Sequence, residues 1–170
     1  RDEETARMAI QAALTGHLVF STLHTNDAPS SITRLLELGV PAYLISSTLL
    51  GVMAQRLVRK ICRNCERTYE LLPEEAEAVG LSTDRHAKIS VKYGEGCPQC
   101  RGTGYLGRTG IYEVMAMTPE LRRLILRGGS VAELRDQAVA EGMRTLRMDG
   151  MKKIEKGVTS LEEVIEETAG

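Results

Sequence analysis

GHLVFSTLHTND, residues 16–27, is the most informative stretch of the chain. The apolar residues 18–20 lead into a group of hydroxyl, imidazole and amide side chains that ends at Asp27. Predicted helices flank it at residues 3–14 and 29–38. A buried strand with polar side chains at its carboxyl end is typical of a ligand site in an open α/β sheet. A simpler alternative is a turn in which Asn26 and Asp27 cap the next helix.

The composition predicts one domain with a small subdomain and an aliphatic core. The chain has 170 residues, of which 42% are hydrophobic, with one Phe and no Trp. Its formal net charge is −1, and the charges of both signs are interspersed. Because of this balance, we expect no extended basic surface of the kind that binds nucleic acid. The basic residues Arg56, Arg59, Lys60 and Arg63 either bind phosphate locally or form a solvated face.

The sequence predicts a cytoplasmic protein without a transmembrane segment. The uncharged run 41–55 is interrupted by hydroxyl residues and by Gly51, and it is shorter than the roughly 20 apolar residues of a spanning helix. Its apolar side chains are spaced like one face of a helix packed on a sheet. We therefore expect a helix through residues 41–55.

All four cysteines fall into two C-x-x-C pairs, Cys62/Cys65 and Cys97/Cys100, separated by 31 residues. Two such turns supply four thiolates in a tetrahedral arrangement, which suits a structural zinc ion with no open position for water. Disulfides or a redox-active pair are the alternatives, and neither accounts as well for two pairs in a cytosolic chain. Within the spacer, residues 72–80 predict a short helix with Pro in its first turn and Gly at its end.

The C-terminal third predicts a strand followed by helices. Residues 108–115 have the pattern of a strand. Thr118-Pro119-Glu120 is a helix start with a capping residue and an N-terminal Pro, and Ser130 with Glu133 forms a capping box for a second helix. Further helices are expected at about 146–156 and from residue 159 onward.

Several segments in this order resemble the ATPases of type II secretion and type IV pilus assembly. The segments that carry the resemblance are RDEET (1–5), ARMAIQAALTGH (6–17), GHLVFSTLHTND (16–27), AQRLVR (54–59), the two cysteine pairs and TGYLGRTGIYE (103–113). The resemblance implies the C-terminal part of a RecA-like P-loop ATPase domain, with a tetracysteine zinc subdomain and a helical C-terminal tail. The implied parts are 1–60 for the ATPase core, 61–107 for the zinc subdomain, and 108–170 for a returning strand and helices.

The same resemblance assigns roles to individual residues. Arg1-Asp2 resembles the end of the Walker B segment, which implies that Asp2 lies near Mg²⁺, and residues 16–27 resemble the histidine box. His24 is then the group that senses the γ-phosphate of ATP, beside Thr22 and Thr25. The resemblance also implies that Gln55 and Arg56, which we place on a helix, contact the nucleotide. His17 either serves a neighbouring subunit or has a structural role.

No G-x-x-x-x-G-K-[ST] phosphate loop occurs in the sequence. We therefore interpret the chain as part of a longer ATPase and expect it to be inactive alone. The resemblance implies a homohexameric motor bound to inner-membrane platform proteins, with ATP and Mg²⁺ as ligands of the full-length protein. Secretion is favoured by residues 107–113, and pilus assembly is the alternative.

A non-enzymatic zinc module is the remaining interpretation, and it belongs to a different functional class. Residues 97–104 match the C-x-x-C-x-G-x-G unit of chaperone zinc modules of the DnaJ type. Cys65, however, is followed by no such pair of glycines, and that interpretation accounts for no residue before position 60.

Overall fold

The computed structural model describes residues 2–81 and 89–169. Its helices are α1 (Glu3–Leu14), α2 (Ser30–Glu37), α3 (Ala42–Thr48), α4 (Pro73–Val79), α5 (Pro119–Leu126), α6 (Val131–Ala140), α7 (Leu146–Glu155) and α8 (Leu161–Glu167). Its strands are β1 (Gly51–Ile61), β2 (Glu66–Leu71), β3 (Ile89–Gly94) and β4 (Tyr105–Ala116), and a 3₁₀ turn covers Pro98–Cys100.

The chain divides into two compact units, each built from two separate segments. The first unit comprises Arg1–Ala54 and Tyr112–Thr145, and the second comprises Gln55–Ile111 and Leu146–Gly170. Strands β1 and β4 pair with each other, as do β2 and β3. The chain passes from one unit to the other within β1, within β4, and between α6 and α7.

The core of the first unit is aliphatic, as the composition predicts. Its buried side chains come from α2, α3, α5, α6 and the end of β4, and they include Ile32, Ile45, Met115, Leu121, Ile125 and Leu134. Helix α5 begins where the sequence predicts, because the Thr118 side chain accepts the Leu121 N–H at 3.2 Å. The capping box of α6 is also present, with the Ser130 N–H donating to Glu133 Oε2 at 2.8 Å.

The second unit contains an antiparallel pair of strands and a pair of helices. In the strand pair, β2 runs against β3 with Glu66 opposite Gly94 and Leu71 opposite Ile89. Helix α4, between these strands, matches the helix predicted at residues 72–80. Helices α7 and α8 pack closely at Gly150, where an added Cβ would lie 2.4 Å from a methyl group of Val164.

An ion pair between the half-exposed Arg59 and the buried Glu163 fixes the start of α8 to strand β1. The Glu163 carboxylate accepts the Arg59 backbone N–H at 2.9 Å and the Arg59 Nε–H at 2.7 Å. The Arg59 guanidinium lies over the Tyr105 ring, 4.3 Å from its centroid. Tyr105 Oη in turn pairs with Ser160 Oγ at 2.7 Å, and the Thr159 hydroxyl donates to the Arg59 carbonyl at 2.7 Å. These contacts make residues 159–163 part of the second unit.

The helix predicted through residues 41–55 is wrong beyond its first half. Helix α3 ends at Thr48, and β1 begins at Gly51. From Val52 to Val58 the side chains alternate between exposed and more buried positions, which is the two-residue period of a strand. Gln55 and Arg56 consequently lie on a strand, and the prediction of a helix at these residues is also wrong.

The buried strand predicted at residues 18–20 is not formed in the described residues. Residues 17–25 have no assigned helix or strand. Leu18 and Phe20 are 68% and 88% exposed. A strand requires a hydrogen-bonding partner, and none of the four described strands pairs with this segment. The flanking helices α1 and α2 are present as predicted.

Candidate functional site

The four cysteine sulfurs lie together in the second unit, all within 4.8 Å of one another. The Sγ–Sγ distances are 3.9 Å for Cys62–Cys97, 3.8 Å for Cys65–Cys100 and 3.7 Å for Cys97–Cys100. A zinc ion with four thiolates at about 2.3 Å places the sulfurs about 3.8 Å apart. Disulfide sulfurs are about 2.05 Å apart. The cluster therefore fits the ligand set of one tetrahedral ion.

Two tight turns produce this cluster. Cys62 follows β1 and Cys65 precedes β2, and the Cys65 N–H donates to the Cys62 carbonyl at 3.2 Å. In the second pair, Cys97 leads into the 3₁₀ turn that ends at Cys100. The backbone of Gly94 approaches that of Gly104 so closely that a Cβ on Gly94 would lie 1.9 Å from the Gly104 carbonyl oxygen. Glycine is therefore required at position 94.

N–H groups that donate to the sulfurs favour the ionised form of two of the four thiols, Cys97 and Cys100. The Asn64 side-chain amide donates to Cys97 Sγ at 3.3 Å and lowers the pKa of that thiol. Burial opposes ionisation of Cys100, but N–H groups of Cys97 and Gly104, each 3.2 Å away, lower its pKa to about 6. Burial raises the pKa of Cys65 to about 12. Ionisation of all four thiols together requires a positive charge at the centre of the cluster, which a bound metal cation would supply.

A cleft of about 320 Å³ runs along α2 in the first unit, from Ser30 to Glu37. It is lined by His24, Thr25, Asn26, Ser30, Thr33, Arg34, Glu37 and Val131. The His24 side chain is exposed. Imidazole, hydroxyl and amide groups provide hydrogen-bond donors for an anion such as phosphate, whereas the Arg34 guanidinium is already paired with the Glu37 carboxylate at 3.0 Å. This is the end of the segment at which the sequence predicts a ligand site.

The residues that follow His24 are held by side-chain hydrogen bonds. Thr25 Oγ1 pairs with Ser31 Oγ at 2.8 Å. Asp27 Oδ1 accepts the Ser30 N–H at 2.8 Å, and Asp27 Oδ2 accepts from Arg135 at 2.5 Å. Partial burial opposes ionisation of Asp27, but these bonds and the Arg135 charge lower its pKa. The alternative of a capping turn is present in part, because Asp27 accepts from Ser30, the first residue of α2, while Pro29, the residue directly before the helix, makes no side-chain cap bond.

Glu113 is a site residue to which sequence analysis gave no role. Its side chain is buried at 2% exposure, and Oε1 accepts the N–H of Ala28, a fully buried residue, at 2.7 Å. Glu113 lies within the TGYLGRTGIYE segment, but 85 residues separate it from Ala28. Arg135 was missed for the same reason, since 108 residues separate it from Asp27. No local sequence signal identifies either pairing.

The other predicted nucleotide contacts lie outside this cleft. Asp2 caps α1, where its Oδ1 accepts the Thr5 N–H at 2.8 Å and the pKa of Asp2 is lowered by that bond. Thr22 is exposed and is not among the lining residues. Gln55 and Arg56 belong to the second unit.

His17 lies near the start of the 16–27 segment and contacts Thr15. Its Nδ1 pairs with Thr15 Oγ1 at 3.1 Å, at the carboxyl end of α1.

Arg1, the first residue of the RDEET segment, lies outside the described residues. Among the helices that the structure describes, none is long and apolar enough to cross a bilayer.

Comparison with known proteins places this arrangement in one family. The family model described as "Type II/IV secretion system protein" matches residues 1–166. The chain is 50% identical over 167 residues to the type IV pilus assembly ATPase TfpB of Acinetobacter baylyi, covering 97% of this chain and 28% of that protein. It is 46% identical over 168 residues to the type II secretion system protein E of Pseudomonas aeruginosa, covering 99% of this chain and 33% of that protein.

A solved structure has a similar α/β fold. The crystal structure of the pilus retraction motor PilT with bound ADP matches with a TM-score of 0.64 and 25% sequence identity, over 100% of this chain and 38% of that chain. The chain thus spans about a third or less of the length of the two curated relatives. Because the family model and the relatives match almost every residue, the chain belongs to the type II/IV secretion system protein family.

Proposed function

We propose that this chain is the C-terminal part of a motor protein that hydrolyses ATP to power protein transport across the cell envelope. The observation that carries the proposal is the exposed imidazole of His24 at a cleft that also contains Thr25 and Asn26. Relatives that match this chain over almost its whole length are named as ATPases. Phosphoryl transfer depends on positioning and on charge stabilisation, and these side chains offer donors for a phosphate.

His24 is the proposed sensor of the γ-phosphate. Its imidazole donates a hydrogen bond to a terminal phosphate oxygen, and Thr25 and Thr22 assist nearby. For Mg²⁺ we propose the carboxylate of Asp2, because Mg²⁺ in nucleotide sites commonly uses one or two carboxylates together with the phosphates. Gln55 and Arg56 are the proposed further contacts of the nucleotide or of an adjoining segment.

The fold of the whole protein is proposed to be RecA-like. In that fold residues 18–20 form a strand of a sheet whose other strands come from sequence outside this chain. The exposure of Leu18 and Phe20 supports this proposal, since a sheet would bury both side chains. The parts 1–60, 61–107 and 108–170 remain the proposed division into ATPase core, zinc subdomain and returning strand with helical tail.

The test of the ATPase proposal is His24→Ala in the full-length protein. We expect at least a tenfold fall in turnover with metal content unchanged, because one stabilising contact to the reacting phosphate is lost. Arg127→Ala is the control, since Arg127 is exposed, pairs with Glu133 and does not line the cleft. Unchanged turnover in His24→Ala would remove His24 from the mechanism.

The tetracysteine cluster is the proposed site of one structural zinc ion, held by Cys62, Cys65, Cys97 and Cys100. The Sγ–Sγ distances of 3.7–3.9 Å support zinc. Four thiolates leave no position open for water, so bound zinc stabilises the fold and takes no part in hydrolysis. Metal analysis of the purified protein is expected to give one zinc per chain.

We assign the motor to type II secretion, as a homohexamer that binds inner-membrane platform proteins from the cytoplasm. The sequence of residues 107–113 supports secretion. Type IV pilus assembly is the second candidate, because a relative with that name is 50% identical to this chain, against 46% for the secretion relative. Deletion of the gene separates the two functions. Loss of exported proteins with pili retained supports secretion, and loss of pili with export retained assigns the protein to pilus assembly.

The 170-residue chain by itself is proposed to be inactive. It has no G-x-x-x-x-G-K-[ST] sequence to hold the nucleotide phosphates. Steady-state assays of the isolated chain are expected to show no ATP hydrolysis above a buffer blank. Sustained turnover by the isolated chain would contradict this proposal.

A further inference from the structure

We propose that Glu113 and Arg135 are positioning residues that hold the His24 segment in the conformation used for ATP hydrolysis. This inference rests on the proposed ATPase function and adds two residues to it. Neither residue lines the cleft. Each instead contacts the main chain or side chain of a residue that follows His24 within four positions.

The first contact is made by a buried carboxylate. Glu113 is 2% exposed and Ala28 is fully buried, and the bond between Oε1 and the Ala28 N–H is 2.7 Å long. A buried carboxylate is unfavourable unless hydrogen bonds compensate its charge. Among the described residues, every buried side-chain nitrogen and oxygen atom has a hydrogen-bond partner. The Glu113 carboxylate therefore fixes the backbone at Ala28 from strand β4.

The second contact reaches the preceding residue from a different element. Arg135, on α6, donates to Asp27 Oδ2 at 2.5 Å, while Asp27 Oδ1 accepts the Ser30 N–H at 2.8 Å. Asp27 is thus fixed by α2 and α6 together. The side chains involved in the ion pair are partly exposed, at 41% for Arg135 and 20% for Asp27. Arg135 can therefore be replaced without opening a core cavity.

The contacts of Glu113 and Arg135 hold the residues that directly follow His24, whose exposed imidazole is proposed to contact the phosphate. The segment before His24 has no assigned strand or helix in the described residues. The segment after it is fixed at Thr25, Asp27 and Ala28. Displacement of a catalytic group by about 1 Å can lower turnover by up to about 100-fold. Loss of either contact is therefore expected to reduce kcat while the affinity for ATP changes little.

The experiment uses the full-length protein with Glu113→Ala, Glu113→Gln, Arg135→Ala and the control Arg127→Ala. Arg127 forms an exposed pair with Glu133 and touches no residue of the 24–28 segment in the described contacts. We expect kcat to fall about tenfold in Glu113→Ala and at least threefold in Arg135→Ala, with KM for ATP within about threefold of wild type. Arg127→Ala is expected to have wild-type kinetics.

Glu113→Gln is the conservative variant, which is expected to keep the hydrogen bond to Ala28. Its amide oxygen can accept the Ala28 N–H at nearly the same position, so kcat is expected within about threefold of wild type. Hydrogen exchange of the peptide covering residues 24–31 supplies a readout independent of turnover. The Ala28 amide is expected to exchange at least tenfold faster in Glu113→Ala than in wild type or Glu113→Gln.

Different outcomes overturn the positioning role and the proposed function. Wild-type kcat in both Glu113→Ala and Arg135→Ala refutes the positioning role while leaving the ATPase intact. An equal loss of kcat in Arg127→Ala, or no rescue by Glu113→Gln, also refutes it. Absence of ATP hydrolysis by the wild-type protein refutes the proposed function, and with it the role assigned to these residues. If Glu113→Ala fails to fold, the partly exposed Arg135 still decides the question.

Discussion

Replacing Glu163 by alanine is expected to destabilise the second unit by about 3 kcal/mol. The Glu163 side chain is 4% exposed, and its two oxygens accept the Arg59 backbone N–H and the Arg59 Nε–H at 2.9 and 2.7 Å. A hydrogen bond to a charged group contributes about 1.5–3 kcal/mol. The Arg59 side chain is 49% exposed and regains water when its partner is lost. We therefore use the lower end of that range for each of the two bonds.

The assay is urea denaturation of the purified chain at pH 7, followed by far-UV circular dichroism. Glu162→Ala is the matched control, because Glu162 is the neighbouring residue on α8 and its side chain is exposed. Its loss is expected to cost less than about 1 kcal/mol. Equal unfolding midpoints for the two variants would refute the argument that the pair between Glu163 and Arg59 stabilises this unit.

The contribution of Glu163 also depends on pH in a defined direction. Burial opposes its ionisation, but the hydrogen bonds from Arg59 and the Arg59 charge lower the pKa of Glu163 below its ordinary value. A lowered pKa in the folded state adds stability above the ordinary pKa, and this stability is lost as the pH falls through the folded value. The difference between wild type and Glu163→Ala is therefore expected to shrink on acidification below the ordinary glutamate pKa. A difference that grows on acidification would contradict the assignment.

Two further predictions concern the second unit. Removal of metal by a chelator is expected to expose the thiols of the cysteine cluster to a thiol reagent and to lower the thermal midpoint, and readdition of zinc should restore both; a midpoint unaffected by the chelator would show that the cluster holds no stabilising metal. Gly150→Ala is expected to destabilise by about 1–3 kcal/mol, because its Cβ would lie 2.4 Å from a Val164 methyl group. Val164→Ala should relieve that clash, so additive losses in the double variant by urea denaturation would contradict the packing argument.

Local signals in the sequence predicted helices more reliably than strands. Helix α5 begins at the predicted Thr118 cap, and α6 has the predicted box of Ser130 and Glu133. Such signals act within four residues, so they can be read without knowledge of the fold. Residues 18–20 have a strand-like sequence, but strand formation depends on partners elsewhere. The run 41–55 was misassigned because its apolar residues fit a helical face, while alternation after Gly51 indicates a strand.

The candidate site was predictable where its chemistry lies in short motifs. The two C-x-x-C pairs indicated the cluster that the structure brings together, because cysteine spacing alone limits what the thiols can do. His24 and Thr25 lie together at the cleft for a similar reason, since both belong to one segment. Glu113 and Arg135 could not be found this way. Their partners are 85 and 108 residues distant in sequence, and pairing over such distances is set by the tertiary fold.

The most direct test of the account is chemical modification of His24 in the full-length protein with diethyl pyrocarbonate, which reacts with exposed neutral imidazoles. Mass spectrometry would follow the modification of His24 and His17 without nucleotide, with Mg²⁺ and ADP, and with Mg²⁺ and a non-hydrolysable ATP analogue. If His24 contacts the γ-phosphate, the ATP analogue slows its modification at least about fivefold, ADP does not, and His17 reacts at one rate throughout. Modification of His24 at the same rate under all three conditions would contradict the central claim that this residue senses the terminal phosphate.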